Sequence, residues 1–227
     1  MQYKTHQFGK AIFIEVINSS GLRIIFSPIG AAIKSIQLND ELITVTPKYV
    51  KDFLNNSTLG RTIGPYEIEN KQYSCPNFIF SSKPTFDDHS FVASFFFNKK
   101  NMIDGKPGNL NIYVTYSIVD DKNELLIDYR VTSDTDNVIH LSNDLLFNMN
   151  NFQIIDKGNV LLSNDTISID ISQNGYEEIK VINKDIDELE MLEEKNKGLS
   201  LIYKDKGNIK NNELYHRSIL YKFIKRS

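Results

Sequence analysis

Tryptophan is absent from this 227-residue chain, and cysteine occurs once, at Cys75. One cysteine excludes an intrachain disulfide framework and a thiolate metal cluster, so Cys75 reads as a small packed residue. Histidine is scarce, and no two of the four have metal-ligand spacing. No metal and no cofactor are expected. Long apolar runs are missing: none approaches the roughly 20 residues that span a bilayer. The opening MQYKTHQFGK also lacks the basic-then-apolar pattern of a signal peptide. A cytoplasmic protein with no membrane partner is therefore expected.

Charge of one sign is nowhere concentrated. The 26 basic and 29 acidic residues are mixed along the chain and leave a net charge of −3. That pattern offers no nucleic-acid surface, and Lys225-Arg226 reads as a solvated tail. Phosphate loops are absent, because Gly105-Lys106-Pro107-Gly108 is a turn without P-loop spacing. No G-x-S-x-G element occurs, and Ser81-Ser82 has no accompanying base. Internal repeats, low-complexity tracts and linkers are missing too. Residues 1–227 are read as one domain, long enough to bury a substantial core.

What is present is a succession of short apolar stretches separated by turn residues. Ile12–Ile17, Leu22–Ser27 and Ile33–Leu38 are divided by Asn18-Ser19-Ser20-Gly21 and by Gly30. Thr46-Pro47 predicts a helix N-cap followed by proline at the first helical position, with a helix to about Leu54. Strands are then expected at Ser57–Ile63, Tyr66–Ile68 and Gln72–Ile79. Phe91–Phe97, apolar except for Ser94, predicts a strand covered on both faces.

Alternation is clearest over Leu110, Ile112, Val114, Tyr116 and Ile118, then, past Asp120-Asp121-Lys122-Asn123, over Leu125, Ile127, Tyr129 and Val131. A period of two sustained this long predicts an antiparallel hairpin. Later strands are expected at Asn159–Leu162, Thr166–Ile171, Glu177–Ile182 and Leu199–Tyr203. Ile186–Lys195 is ambiguous, since its Leu and Glu content favours a helix.

Several motifs, taken in order, resemble the aldose 1-epimerases (galactose mutarotases). Gly30-Ala31 and Gly60-Arg61 fit an early glycine–alanine and the opening of a GR-x-A-N-R-I motif. Pro107-Gly108-Asn109-Leu110 matches PGNL residue for residue. His140-Leu141-Ser142-Asn143-Asp144 through Phe147-Asn148-Met149 resembles N-L-T-N-H through F-N-L. Glu213, Tyr215, Tyr221 and Phe223 fit the closing strand. The resemblance implies an all-β fold: a large antiparallel β-sandwich of the galactose mutarotase-like (supersandwich) type. It implies a hexose as the small-molecule partner and leaves the oligomeric state open.

Chemistry is where the chain departs from the family. There, a carboxylate base and an imidazolium acid open and reclose the pyranose ring, each partner worth roughly 10² to 10⁴ in rate. Here Phe80 stands where the first family histidine belongs, and Asp144 where the second does. The second arginine of GR-x-A-N-R-I falls near Pro65. No glutamate lies between Tyr203 and Glu213 to serve as base. The resemblance thus points to a carbohydrate-binding member with replaced acid–base groups. An active epimerase with substitute groups, or an interaction module on the same scaffold, are the alternatives.

The site residues follow from this frame. Between Val138 and Asn148, strand alternation puts His140, Ser142 and Asp144 on one face, with Ile139, Leu141, Leu145 and Phe147 on the other. The polar face is expected to line the sugar cleft. Asp144 is read as a hydrogen-bond acceptor for sugar hydroxyls, as a catalytic acid, or as a solvated strand carboxylate. His140 is a substitute imidazole or a half-exposed strand residue. Phe80 is an aromatic platform for a pyranose or a core ring. Arg61 touches sugar or holds structure through a carboxylate. Asp187 stands near a sugar-binding aspartate of the family.

Overall fold

Residues 1–9, 11–47, 49–55, 58–66, 75–100, 105–185, 197–205 and 207–226 are described in a computed structural model. In chain order its elements are β1 (Gln2–Phe8), β2 (Ala11–Ile17), β3 (Leu22–Ser27), β4 (Ala32–Leu38), β5 (Glu41–Leu42), α1 (Val50–Asn55), β6 (Thr62–Ile63), β7 (Ser81–Phe86), β8 (Ser90–Lys99), β9 (Leu110–Val119) and β10 (Glu124–Ser133). They continue with β11 (Asn137–Val138), β12 (Ser142–Asn143), β13 (Leu146–Phe147), β14 (Asn151–Ile154), β15 (Asn159–Ser163), β16 (Ile167–Asn174), β17 (Glu178–Asp185), β18 (Lys197–Lys204), β19 (Asn208–Ile209) and β20 (Leu214–Lys225).

Strands β1 to β5 form an antiparallel meander in sequence order. The larger sheet runs β14-β15-β16-β20-β10-β9-β8-β7. Its two hairpin runs are joined by the last strand: β20 pairs with β10 along one edge and with β16 along the other. The expected hairpin is β9–β10, in a register that sets Tyr116 opposite Ile127 and Val114 opposite Tyr129. Those inward rows are fully buried. They join Phe26, Ile24 and Ile36 of the meander in one hydrophobic cluster. The architecture is the all-β antiparallel sandwich that the resemblance implies.

Some expected elements come out differently. Helix α1 starts at Val50 rather than just after Thr46-Pro47. Of the expected strand Ser57–Ile63, Ser57 lies outside the described residues and the rest shrinks to β6. In Gln72–Ile79, the described part is a 3₁₀ turn at Cys75–Asn77, where Pro76 has no N–H to give to a ladder. Tyr66 is not in a strand, and the rest of Tyr66–Ile68 lies outside the described residues, as does Ile186–Lys195. Strand β8 is buried on one face only. Phe91, Ala93 and Phe95 face the core, while Phe96 stacks on Tyr113 on the half-exposed side, with ring centroids 4.7 Å apart.

The stretch 137–147 matters most for the site. Instead of one strand it is three short pieces with three partners: β11 on β19, β12 on β6 and β13 on β18. Between the pieces, other groups satisfy the backbone. The N–H of Leu141 donates to the Tyr215 hydroxyl (3.1 Å), and its carbonyl accepts from the Tyr176 hydroxyl (2.5 Å). The His140 N–H reaches the Pro65 carbonyl at 2.8 Å. Buried backbone groups need such partners. Two glycines let neighbouring chain come this close. A Cβ on Gly207 would sit 1.7 Å from the Ile139 carbonyl oxygen, and one on Gly64 would sit 2.0 Å from that of His140.

Candidate functional site

The 137–147 stretch forms the floor of a groove of about 740 Å³, to which it contributes Val138, His140, Ser142, Asn143 and Asp144. Alternation puts all but Asn143 there. Ile139, Leu141, Leu145 and Phe147 point the other way and are buried in the core. One wall comes from β17 and β18, which present Ile182, Lys184, Ile202 and Lys204. The opposite wall carries Ile63, Pro65, Tyr66 and Lys106.

Asp144 is anchored at both backbone ends. Its N–H donates to the Arg61 carbonyl (3.0 Å), and its own carbonyl accepts from Gly60 (2.7 Å). Its carboxylate accepts two hydrogen bonds from Lys184 Nζ, at 2.9 and 3.1 Å. The Asp144 side chain is 13% exposed and that of Lys184 33%. The pair therefore sits at the groove surface, half screened by solvent. Ser142 Oγ lies 3.5 Å from His140 Nε2, and the His140 ring packs edge-on to Tyr176. Asn143 is buried, and its Nδ2 donates to the Gly60 carbonyl at 3.3 Å.

Two further carboxylates line the groove, the exposed Glu177 and Asp205; the latter is bound tightly. Its side chain is only 1% exposed. Arg217 Nε donates to Oδ2 at 2.9 Å, Arg217 Nη2 donates to Oδ1, and the Gly207 N–H donates to Oδ1 at 2.9 Å. Burial works against the Arg217 charge, but the hydrogen bonds and charge of Asp205 outweigh it and raise the guanidinium pKa.

Beneath the floor lies a layer of buried tyrosines. The Tyr203 and Tyr221 hydroxyls bond each other at 2.8 Å, and Tyr116 donates to the Ala31 carbonyl at 2.5 Å. Burial raises the hydroxyl pKa values of Tyr116, Tyr129, Tyr176, Tyr203, Tyr215 and Tyr221. These groups stay protonated: Tyr116 and Tyr176 donate to backbone carbonyls, Tyr215 accepts from the Leu141 N–H, and the Tyr129 hydroxyl has no partner among the described residues.

The expected site residues separate into groups. His140, Ser142 and Asp144 come together in the groove. Phe80 does not join them: its ring is 2% exposed and packs in the core, 5.5 Å from Phe97, so it offers no platform to a ligand. Arg61 is also buried. Its guanidinium donates to the carbonyls of Pro76, Phe53 and Leu54, not to a carboxylate and not into the groove. Asp187 lies outside the described residues. Among the described residues, no three His, Cys, Asp or Glu side chains converge where a metal ion could sit.

Sequence reasoning missed Lys184 and Asp205. Lys184 left no local signal, because its partner is 40 residues away. Asp205 did leave one. Arg217 occupies the inward row of β20 between Tyr215 and Ile219, and a charge in an apolar row requires a buried partner.

A family model described as aldose 1-epimerase matches residues 13–217. The chain belongs to the aldose 1-epimerase family. Among solved structures, galactose 1-epimerase from Lactobacillus acidophilus NCFM superposes with a TM-score of 0.85 at 12% identity, covering 100% of this chain and 99% of that one. A galactose mutarotase-like protein from Clostridium acetobutylicum gives 0.71 at 10% identity, covering 100% and 99%. A GalM/aldose epimerase homologue from C. elegans gives 0.70 at 16% identity, covering 96% and 100%. At these identities the likeness is one of fold. No curated protein sequence matched the chain. No described helix is long and apolar enough to cross a membrane.

Proposed function

We propose that this aldose 1-epimerase family member binds a hexose pyranose in the groove over His140, Ser142 and Asp144 and no longer interconverts its anomers. One observation carries the reading: of the three carboxylates that line the groove, the two with shielded side chains, Asp144 and Asp205, are held by cations, while Glu177 is exposed to solvent. Asp144 accepts two bonds from Lys184, and Asp205 accepts from Arg217 and the Gly207 N–H. A general base must take up a proton, and protonating either group would break these charge-assisted bonds. A carboxylate has about four acceptor sites, so one bound to a cation still accepts from sugar hydroxyls. Ser142 and Lys184 add a hydroxyl and an ammonium suited to the same ligand. The large hydrophobic cluster shared by both halves of the chain supports treating residues 1–227 as one domain.

A second reading, active epimerisation, is favoured by His140 alone. Its imidazole lines the groove beside Ser142, and histidine is the side chain suited to proton transfer near neutral pH. NMR exchange between the α and β anomers of glucose and galactose separates the two. The binding reading predicts saturable sugar-dependent shifts with no exchange above the buffer rate. Exchange abolished by Asp144→Asn or His140→Gln would establish catalysis instead. No response to either sugar at tens of millimolar would leave the scaffold as an interaction module.

A further inference from the structure

The groove does not end at one ring. Beyond Val138 it opens into a hollow of about 500 Å³, and Tyr66, Lys106 and Val138 line both spaces. Beyond Lys184, at the other end, lies a third hollow of about 630 Å³, which shares Lys184 with the central one. One continuous piece of chain threads all three. Asp136 and Asn137 face the first outer hollow, His140, Ser142, Asn143 and Asp144 the centre, and Asn148 to Asn150 the far one. The hollows follow one another in chain order and share lining residues at each junction, so their combined lining reaches beyond the central groove. The central space alone already falls in the range of roughly 300–1000 Å³ that encloses a drug-sized ligand.

The lining of the outer hollows is mixed, with Lys106, Ile209 and Lys210 on the first and Glu41, Met149 and Thr166 on the far one, but amides and carboxylates recur in both. Asn137, Asn208, Asp136 and Glu213 line one; Asn148, Asn150, Asn183 and Asp165 line the other. Amides offer donor and acceptor together, which matches hydroxyls spaced around a sugar ring. Val138 stands 59% exposed on the ridge between the first two spaces, where the C–H face of a ring would cover it.

We infer that the ligand is an oligosaccharide. Its central unit occupies the groove over His140 and Asp144, and its neighbours lie in the hollows beside Asn208 and beside Asn183. The inference rests on the sugar-binding reading above and adds the length of the ligand to it.

Calorimetric titration of the whole chain with glucose and maltotriose, and with galactose and β-1,4-galactotriose, tests it. In at least one series the trisaccharide is expected to bind at least tenfold more tightly than its monosaccharide. Asn208→Ala and Asn183→Ala should each reduce that ratio by about threefold or more. Because the ratio is taken within one variant, a general loss of folded protein cancels. Equal affinity for monosaccharide and trisaccharide in both series would overturn the extended site and leave a one-ring site standing. An unchanged ratio in both variants would overturn the placement of the outer units. No binding of any of the four sugars would overturn both readings together.

Discussion

Replacing Tyr176 with phenylalanine removes one hydroxyl and keeps the ring. That hydroxyl is the donor to the Leu141 carbonyl at 2.5 Å, and Leu141 is fully buried between β11 and β12. The lost bond and the stranded carbonyl together cost about 1–3 kcal/mol. In a chain of this length each kcal/mol moves the midpoint by about 2–4 °C, so a central cost of about 2 kcal/mol lowers Tm by about 4–8 °C. Urea unfolding should show a lower midpoint with an unchanged m-value, since the surface exposed on unfolding is the same. The floor carrying His140 and Asp144 should also loosen, so sugar affinity should fall with stability. Tyr113→Phe is the control, its ring 43% exposed on the outer face, and should stay within about 0.5 kcal/mol of the parent. Tyr176→Phe unfolding within the same 0.5 kcal/mol margin would refute the claim that this hydroxyl fastens the floor.

Alkaline pH provides a second test. Burial raises the pKa of six tyrosines, Tyr116, Tyr129, Tyr176, Tyr203, Tyr215 and Tyr221. The folded state keeps protons that the unfolded chain loses, so stability is full below about pH 10. Above that it falls by about 1.4 kcal/mol per pH unit for each group, or about 8 for the six. Against a typical reserve of about 5–15 kcal/mol, unfolding follows within about two pH units. Tyrosinate absorbance and circular dichroism should change together; ionisation of all six in a chain that still shows its native spectrum would contradict their burial. For Asp144 and Lys184, a double-mutant cycle with Asp144→Asn and Lys184→Met should give a stability coupling of about 0.5–1 kcal/mol, because Lys184 is one-third exposed and the pair is screened. A coupling of zero would remove the ion pair from the account. Gly207→Ala and Gly105→Ala both place alanine at positive φ, at a cost of about 1 kcal/mol. Only at Gly207 does the new Cβ also meet a carbonyl oxygen, whereas Gly105 faces open space. The Gly207 variant should therefore lose several kcal/mol more in chemical denaturation, and equal losses would show that Ile139 can move aside.

Much of the fold was legible because alternation reports burial directly. The rows Leu110–Ile118 and Leu125–Val131 predicted β9–β10 down to which side chains face inward. The same logic set His140, Ser142 and Asp144 on the groove side of their segment. What alternation does not report is pairing. The 137–147 stretch keeps its two-residue period while changing partners twice, since tyrosine hydroxyls replace a continuous ladder at Leu141. Phe80 and Arg61 were read from the motif positions they occupy, but their surroundings decide what they do. Phe80 packs with Phe97, and Arg61 binds carbonyls around α1. Lys184 and Arg217 meet Asp144 and Asp205 only through the fold, although Arg217 in an apolar row signalled a buried carboxylate.

Amide NMR shifts followed through a titration with glucose and galactose test the groove most directly. Binding over the polar face of residues 138–144 predicts saturable changes at His140, Ser142, Asp144 and Lys184, with β14 and the outer face of β8 unmoved. Shifts confined to those distant strands, or none at tens of millimolar of either sugar, would contradict it.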